Sequence, residues 1–340
     1  MPKHKITMIF EDGRSEMIEA DENDTIYMAA LRNKIRLMTD CLEGACATCK
    51  GQAVNGIYTM DDYSDEALSD EEAADGEVLT CKMRAQSDCV IEFPYMSKVA
   101  FRVGAKTWGC CVKFIEKVSS NVVKLVISLD ENEKSPPVFM PGQYVNISVP
   151  GSDETRSYSF ANAPSSNGTL SFYIKLLDKG AMSDYLRERA TEGDPIYITG
   201  PYGRFYLREP QRPILMIAGG TGLAPMFSML SQMVDLGMVQ QSVHLLYGVN
   251  KTSEIFGLDE IKDKFSNNLK LVYETTCLVP DEEWSGATGY VTDLLRPELI
   301  KESTDVYVCG PPPMIDAVDI WLTENQFDKK FVYAEKFLPS

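Results

Sequence analysis

Cys41-Leu42-Glu43-Gly44-Ala45-Cys46-Ala47-Thr48-Cys49, with Cys81 farther along after Val78-Leu79-Thr80, decides how this 340-residue chain reads. The spacing C-x4-C-x2-C plus a distant fourth Cys is the plant-type pattern of 2Fe-2S ligation. Cys41, Cys46, Cys49 and Cys81 are therefore the expected metal ligands. Three thiolates converging on one small cluster need a tightly wrapped backbone. Gly44 permits positive φ, and Ala45, Ala47 and Thr48 are small enough to let backbone N–H groups approach sulfur. Zinc competes poorly, because a four-cysteine zinc site usually shows two C-x2-C pairs and only Cys46 and Cys49 form one. A redox C-x-x-C needs a thioredoxin-like setting, which is missing. A cluster moves single electrons, so the rest of the chain should show where they come from and go.

Around this loop, residues 1–98 read as a small α+β domain. Two strands flank the Asp12-Gly13 turn, and a helix follows near Thr25–Lys34. Asp24 is its expected N-cap, and Ile26, Ala29, Ala30 and Asn33 set its spacing. A strand is expected near Gln52–Tyr58. Ser69 with Glu72 forms a capping-box pattern, Cys89–Phe93 is a closing strand, and Pro94–Lys98 is the linker. Residues 99–209 show strand signals about every ten residues: Cys110–Val118, Val122–Leu129, Tyr144–Val149, Arg156–Phe160, Leu170–Lys175 and Pro195–Thr199. Short antiparallel strands at that spacing predict a barrel. Residues 210–340 alternate strand and helix, which predicts a parallel sheet covered by helices, with its ligand at the carboxyl ends of the strands. Cys89, Cys110, Cys111 and Cys277 lie in strand-like runs and read as small core residues. His4 and His244 have no motif around them and read as structural or surface residues.

Charge narrows the partners. The chain carries net −17, which argues against nucleic acid and anionic membrane. Residues 1–98 hold 20 Asp/Glu against 10 Lys/Arg, so the cysteine-bearing third is the most acidic and is expected to dock on a basic patch. No signal peptide is visible, and the longest apolar stretch, Pro213–Leu230, is interrupted by Gly219, Gly220, Gly222 and Pro225. The expectation is a soluble cytoplasmic protein.

Four further motifs carry chemistry. In Arg156-Ser157-Tyr158-Ser159, Arg supplies a charged fork for phosphate, Tyr a flat surface for a ring, and Ser159 a donor for a flavin edge. Taken alone, the same residues also suit an ordinary polar strand. Lys175, followed by Gly180-Ala181-Met182-Ser183 at a helix start, offers free N–H groups and a helix dipole to a diphosphate. Gly219-Gly220-Thr221-Gly222 follows a strand and opens a helix, the context a dinucleotide turn needs. Pro225 stands where the Rossmann fingerprint would have its third glycine. Cys309-Gly310-Pro311-Pro312-Pro313-Met314 ends a strand in Cys before a stiff turn.

In this order, behind the cluster loop, these motifs resemble the ferredoxin–NADP reductase superfamily, in its branch with a fused plant-type ferredoxin. The similarity spans the chain and is closest to the reductase components of ring-hydroxylating dioxygenases of the benzoate type. Residues Cys41–Lys50, Val78–Met83 and Tyr333-Ala334-Glu335-Lys336-Phe337 carry it. The resemblance implies a β-grasp ferredoxin over 1–98, an FAD-binding antiparallel β-barrel over 99–209 and an NAD-binding α/β domain over 210–340. It implies that Arg156 contacts FAD phosphate, with Ser157 beside it, and that Tyr158 and Ser159 hold the isoalloxazine. Gly180, Met182 and Ser183 would take the diphosphate, with Lys175 close by. Gly220, Thr221 and Gly222 would sit under the nicotinamide nucleotide. Cys309, Gly310 and Glu335 would border the hydride-transfer site, with Ser159, Cys309 and Glu335 as its catalytic set, and Phe337 would lie near the flavin.

NADH is expected over NADPH. Glu254 or Glu274 would repel a 2′-phosphate and bond a ribose hydroxyl, whereas Lys251 and Ser253 argue the other way. The implied activity is hydride transfer from NADH to FAD, then single electrons through the cluster to a Rieske-type terminal oxygenase. The same electron chain could serve a di-iron monooxygenase or a deoxysugar system. A metal-binding protein without flavin is the reading from a different class.

Overall fold

The computed structural model describes residues 3–39, 41–45, 47–101, 106–133, 135–165, 167–203, 205–208, 212–300 and 303–337. The chain divides into two compact units, residues 1–106 with 200–204, and residues 107–199 with 205–340.

The first unit is built on β1 (Lys3–Ile9), β2 (Ser15–Asp21), α1 (Ile26–Arg32), β3 (Lys50–Asn55), β4 (Tyr58–Met60), α2 (Asp70–Ala74), β5 (Glu77–Leu79), β6 (Met83–Ala85), β7 (Cys89–Glu92) and α3 (Ser97–Ala100). Its main sheet runs β2-β1-β7-β3-β5, with β1 and β7 parallel and the other neighbours antiparallel. Helix α1 lays Ile26, Ala29 and Ala30 against Ile6, Met8 and Ile91 in the core. This is the β-grasp arrangement.

Several local expectations need correction. Thr25, not Asp24, caps α1, its side chain accepting the Met28 N–H, because Asp24 accepts the Asp21 N–H and pairs with Arg32 instead. Asn33 is the exposed C-cap residue, not part of the buried face. The strand expected over Gln52–Tyr58 is two strands in different sheets, divided where Gly56 takes φ 105°. Ser69 and Glu72 do form the capping box of α2. The stretch Pro94–Lys98 is packed: Tyr95 meets Phe10 and Phe93, and Ser97 opens α3.

The second unit begins with β8 (Lys106–Lys117), β9 (Val122–Leu129), β10 (Tyr144–Ser148), β11 (Thr155–Ser159), β12 (Thr169–Lys175), α4 (Ala181–Glu188) and β13 (Pro195–Tyr202). They form a six-stranded sheet in the order β11-β10-β13-β8-β9-β12. The two edges nearly close a barrel beyond β11, where the Ala161 N–H donates to the Ser171 carbonyl at 2.8 Å. Alternate residues such as Val145, Ile147, Ile196 and Ile198 point inward, and Met182, Tyr185 and Leu186 of α4 pack against that core. Cys89, Cys110 and Cys277 are buried as expected, whereas Cys111 is only half-buried, with its Sγ 3.2 Å from Ser128 Oγ.

A parallel sheet follows: β14 (Ile214–Gly219), α5 (Leu223–Asp235), β15 (Ser242–Lys251), α6 (Leu258–Glu260, continued as a π-helical turn Ile261–Ser266), β16 (Lys270–Val279), β17 (Ala287–Thr288), β18 (Asp305–Gly310), α7 (Pro312–Glu324) and β19 (Val332–Lys336). The helix expected over Asp259–Phe265 is thus mostly π-helical. Strand order is β17-β16-β15-β14-β18-β19. Met216 and Ala218 face one core with α5, while Leu215 and Ile217 face another with α7. Burial on both faces explains the unbroken apolar run of β14. The order reverses between β14 and β18, which opens a crevice at their carboxyl ends.

That crevice depends on a close approach. A Cβ on Gly222 would stand 2.1 Å from the Cys309 carbonyl oxygen. Gly222→Ala should therefore destabilise this unit by about 1–3 kcal/mol through forced backbone movement. Chemical denaturation followed by far-UV circular dichroism would measure it, and an unchanged midpoint would overturn the packing argument.

Candidate functional site

In the cysteine loop the backbone is left-handed at Leu42, Gly44 and Ala47, with φ of 61°, 76° and 59°. Only the glycine adopts this without steric cost. The sequence flagged Gly44 but not its two neighbours. The wrap turns the N–H groups of Glu43 and Ala45 toward Cys41 Sγ, each at 3.4 Å. Gly44 supplies a backbone hydrogen bond to Cys81. The Thr80 N–H and hydroxyl both donate to the Cys49 carbonyl at 3.1 Å, which brings Cys49 Sγ to 3.3 Å from Cys81 Sγ.

Burial, then the bond to Cys49, push the Cys81 thiol up to about 12, and the charges of Cys49 and Cys41 act in the same direction. Thiols gathered this way ionise together only around a cationic centre. Cys46 lies outside the described residues, and among those described no three His, Cys, Asp or Glu side chains form a metal-ion site. Sulfur donors ringed by amide N–H groups nevertheless fit an iron–sulfur cluster better than an oxygen-ligated cation.

The second unit holds a cavity of about 1100 Å³. The barrel contributes Arg156, Ser157, Tyr158 and Ser159 from β11, Lys175 from β12, and Gly180, Met182 and Ser183 at the start of α4. The sheet contributes Gly220 and Thr221 after β14, and Glu335 and Phe337 at the end of β19. All of these were named from sequence. Gly222, Cys309 and Gly310 do not line the cavity. They are buried directly beneath it, where Gly222 meets the Cys309 carbonyl and Gly310 lies against Gly219.

The wall is ordered by local bonds. Strand β11 pairs with β10, so Tyr158 faces Val145 and Ser159 faces Tyr144 in register. Ser157 Oγ donates to Asn146 Oδ1 at 2.7 Å, and Arg156 pairs with Glu154 and the Thr155 carbonyl. The Leu177 N–H donates to Ser183 Oγ at 2.9 Å. Among the described residues no side chain caps α4, so its first N–H groups stay available to an anion.

Where barrel and sheet meet, Ser159 Oγ donates to Glu335 Oε2 at 3.4 Å, and Glu335 stands in register with Cys309 across β19 and β18. Burial raises the Glu335 carboxyl to about 8, against the opposing bond from Ser159. Cys309 is fully buried, and burial above all holds its thiol neutral.

The two acids named for nucleotide choice separate here. Glu274 is tied to Arg296 at 2.7 and 3.2 Å and to His244 at 2.6 Å, and it does not line the cavity. Glu254 does. Lys251 is exposed and off the wall, and Ser253 is engaged by Ser120. Sequence reading missed Tyr144, Tyr173, Asn250, Tyr290 and Met314 on the wall. Met314 ends the Cys309–Met314 run without having been named as a site residue, Asn250 and Tyr290 sit near the carboxyl ends of the parallel strands, and Tyr144 and Tyr173 are single residues of barrel strands with no signal of their own.

Residues 9–86 match the 2Fe-2S iron-sulfur cluster binding domain family, residues 109–206 the oxidoreductase FAD-binding domain family, and residues 216–319 the oxidoreductase NAD-binding domain family. The 2-halobenzoate 1,2-dioxygenase electron transfer component of Burkholderia cepacia is 39% identical over 99% of this chain and 98% of its own length. The toluate 1,2-dioxygenase electron transfer component of Pseudomonas putida is 38% identical over 99% of each. The solved structure of Amycolatopsis cytochrome P450 reductase GcoB covers 98% of this chain and 99% of its own at a TM-score of 0.64 and 24% identity, a likeness of fold.

The raised Glu335 carboxyl has a consequence for stability. Unfolded, a glutamate ionises near pH 4.5, whereas in the fold it keeps its proton to about pH 8. Stability should therefore fall between these values as pH rises, and level off above them. Glu335→Gln removes that loss, so its advantage over the unaltered protein should grow from pH 5 to 8. Melting temperatures of the two proteins across this range check it, and parallel curves would refute the buried-acid assignment.

Proposed function

We propose that this chain, which belongs to the dioxygenase electron transfer component family of oxidoreductases with 2Fe-2S, FAD-binding and NAD-binding domains, passes electrons from NADH to a Rieske-type oxygenase acting on an aromatic ring. FAD, when bound, takes a hydride from NADH and yields electrons that the cluster relays singly. One observation carries the reading: a single cavity draws its walls from both the barrel strand Thr155–Ser159 and the switch point of the parallel sheet, so two nucleotides can present their rings to each other there. We assign the domains as 1–98, 99–209 and 210–340, near the family matches.

The protein's task is positioning. Arg156, Ser157 and Lys175, with the uncapped start of α4 at Gly180, Met182 and Ser183, bind the FAD phosphates. Tyr158 and Ser159 hold the flavin ring from β11, and Phe337 covers it from the end of β19. Gly220 and Thr221 leave backbone room for the nicotinamide nucleotide, and Gly222 and Gly310 allow the packing beneath. Glu335 keeps a proton at its carboxyl below about pH 8 and offers it beside Ser159. Cys309 fills the floor behind Glu335 as an uncharged thiol.

Cys41, Cys46, Cys49 and Cys81 hold the cluster. Glu254 on the wall, with no Lys or Arg among the described lining residues of the loops after β15 and β16, favours NADH over NADPH.

The acidic first unit docks the oxygenase. Asp62, Asp65, Glu66, Asp70 and Glu71 are exposed on a segment whose Ser64 N–H bonds the Gly44 carbonyl in the cluster loop. Net charge −17 supports a protein that engages neither membrane nor nucleic acid. Among the described residues no helix is long and apolar enough to cross a membrane. The cytoplasm is the compartment we propose, and the free thiols of Cys89, Cys110, Cys111 and Cys277 support it.

An anaerobic NADH titration followed by absorbance should consume about three electrons per chain, two for flavin and one for the cluster. Uptake of two would leave a flavoprotein without a working cluster. Cys46→Ser should spare NADH oxidation by two-electron dyes and abolish delivery to a one-electron protein acceptor. Equal loss of dye reduction would sink the division of labour. Electron delivery to the oxygenase should fall steeply with added salt once the Debye length drops to ~3 Å near 1 M, while dye reduction holds. Salt-independent delivery would remove charge from the docking.

A further inference from the structure

Asn121 lies in the turn between β8 and β9, outside every motif that points to a cofactor. Its carbonyl accepts the Leu176 N–H at 2.7 Å, which fixes the turn to the end of β12 beside Lys175 on the cavity wall. Its side-chain Nδ2 donates to Glu254 Oε1 at 3.1 Å. The preceding residue grips the same place: the Ser120 N–H donates to the Ser253 carbonyl at 2.8 Å and Ser120 Oγ to Ser253 Oγ at 3.2 Å. Three bonds from one barrel turn thus hold Thr252–Glu254, a single 3-10 turn with no side-chain cap of its own.

Two facts single out the Asn121–Glu254 bond. First, among the described residues Asn121 Oδ1 is buried without a hydrogen-bond partner. A buried, unsatisfied amide oxygen is disfavoured, so the side chain stays for what its other end does. Second, among the described residues nothing else bonds the Glu254 carboxylate, although Glu254 lines the cavity. Its second oxygen remains available to a ligand. The cations on the wall, Arg156, Lys175 and Lys336, all come from the barrel or the last strand.

We propose that Asn121 is a positioning residue for nucleotide selectivity. It holds the Glu254 carboxylate at the cavity wall, where the second oxygen accepts the ribose 2′-hydroxyl of NADH and repels the 2′-phosphate of NADPH. The choice of nucleotide by the sheet then depends on a turn of the barrel. This rests on the reading of Glu254 as the residue that faces the nucleotide ribose.

The test uses the holoprotein with FAD content checked in each variant. Calorimetry gives the affinities of adenosine 5′-monophosphate and adenosine 2′,5′-bisphosphate. Ferricyanide reduction gives kcat and KM for NADH and NADPH. Glu254→Gln should narrow the preference for the monophosphate about tenfold, since one lost charge repulsion is of that order. Asn121→Ala should narrow it about fivefold, raising KM for NADH with kcat held, as expected for lost ground-state binding. Asn121→Leu, close in volume and without the amide donor, should narrow it by a similar factor, and it carries the test if the Ala variant fails to fold. If both Asn121 variants weaken the two ligands equally while Glu254→Gln narrows the preference, Asn121 is merely structural and the proposal is overturned. If none of the three changes the preference, the reading of Glu254 falls with it.

Discussion

The second unit depends on how closely two backbones approach at the switch point of the parallel sheet. Strands β14 and β18 run side by side with Ala218 opposite Cys309, and their chains then part in opposite directions. Gly222 touches the Cys309 carbonyl, and Gly219 and Gly310 leave room for Met314. Because the three carry no side chains, α5 and α7 start close to the strand ends, and the crevice between them stays open. Any Cβ there would push the helix starts apart or fill the space.

The barrel completes the cavity by packing on the same core. Val122, Ala161, Tyr173 and Phe205 join Met226, Phe227 and Met229 of α5 in one apolar cluster, and Tyr173 OH donates to Glu260 Oε2 at 3.0 Å. Ser228 Oγ donates to the Asn162 carbonyl at 2.7 Å. These contacts set how Arg156–Ser159 face Gly220 and Thr221, so their relative placement across the cavity is a packing property, not a property of either motif. In the first unit the constraint is different. Backbone strain at Leu42 and Ala47 is offset by N–H groups turned toward sulfur, and the loop is pinned from a distance by Ser64 and Thr80.

Much of the fold was legible because its signals are local. Strand and helix alternation over Ile214–Lys336 follows from apolar runs bounded by glycine and proline, and all six strands expected of the barrel are present. The capping box at Ser69 was legible for the same reason. The misreadings are instructive. Asp24 and Thr25 are both good N-caps by type, and only the position of Arg32 one helix-length away decides between them. The break between β3 and β4 turns on φ at one glycine, which sequence periodicity does not register.

What the sequence alone determined is the chemistry available: four cysteines at cluster spacing, a charged and aromatic strand, glycine turns at strand ends, and an acidic first third. Short-range spacing and residue type suffice for these, because each motif acts through atoms within a few residues. What only the tertiary structure decided is which of those groups share a space. Glu254 and Glu274 are equivalent on paper, yet one lines the cavity and the other is held by Arg296 and His244, far apart in the chain. Asn121 has no motif at all, and only a barrel turn reaching the sheet brings it to Glu254. Long-range packing sets such pairings, and a linear pattern holds no record of which distant side chain will meet a given charge.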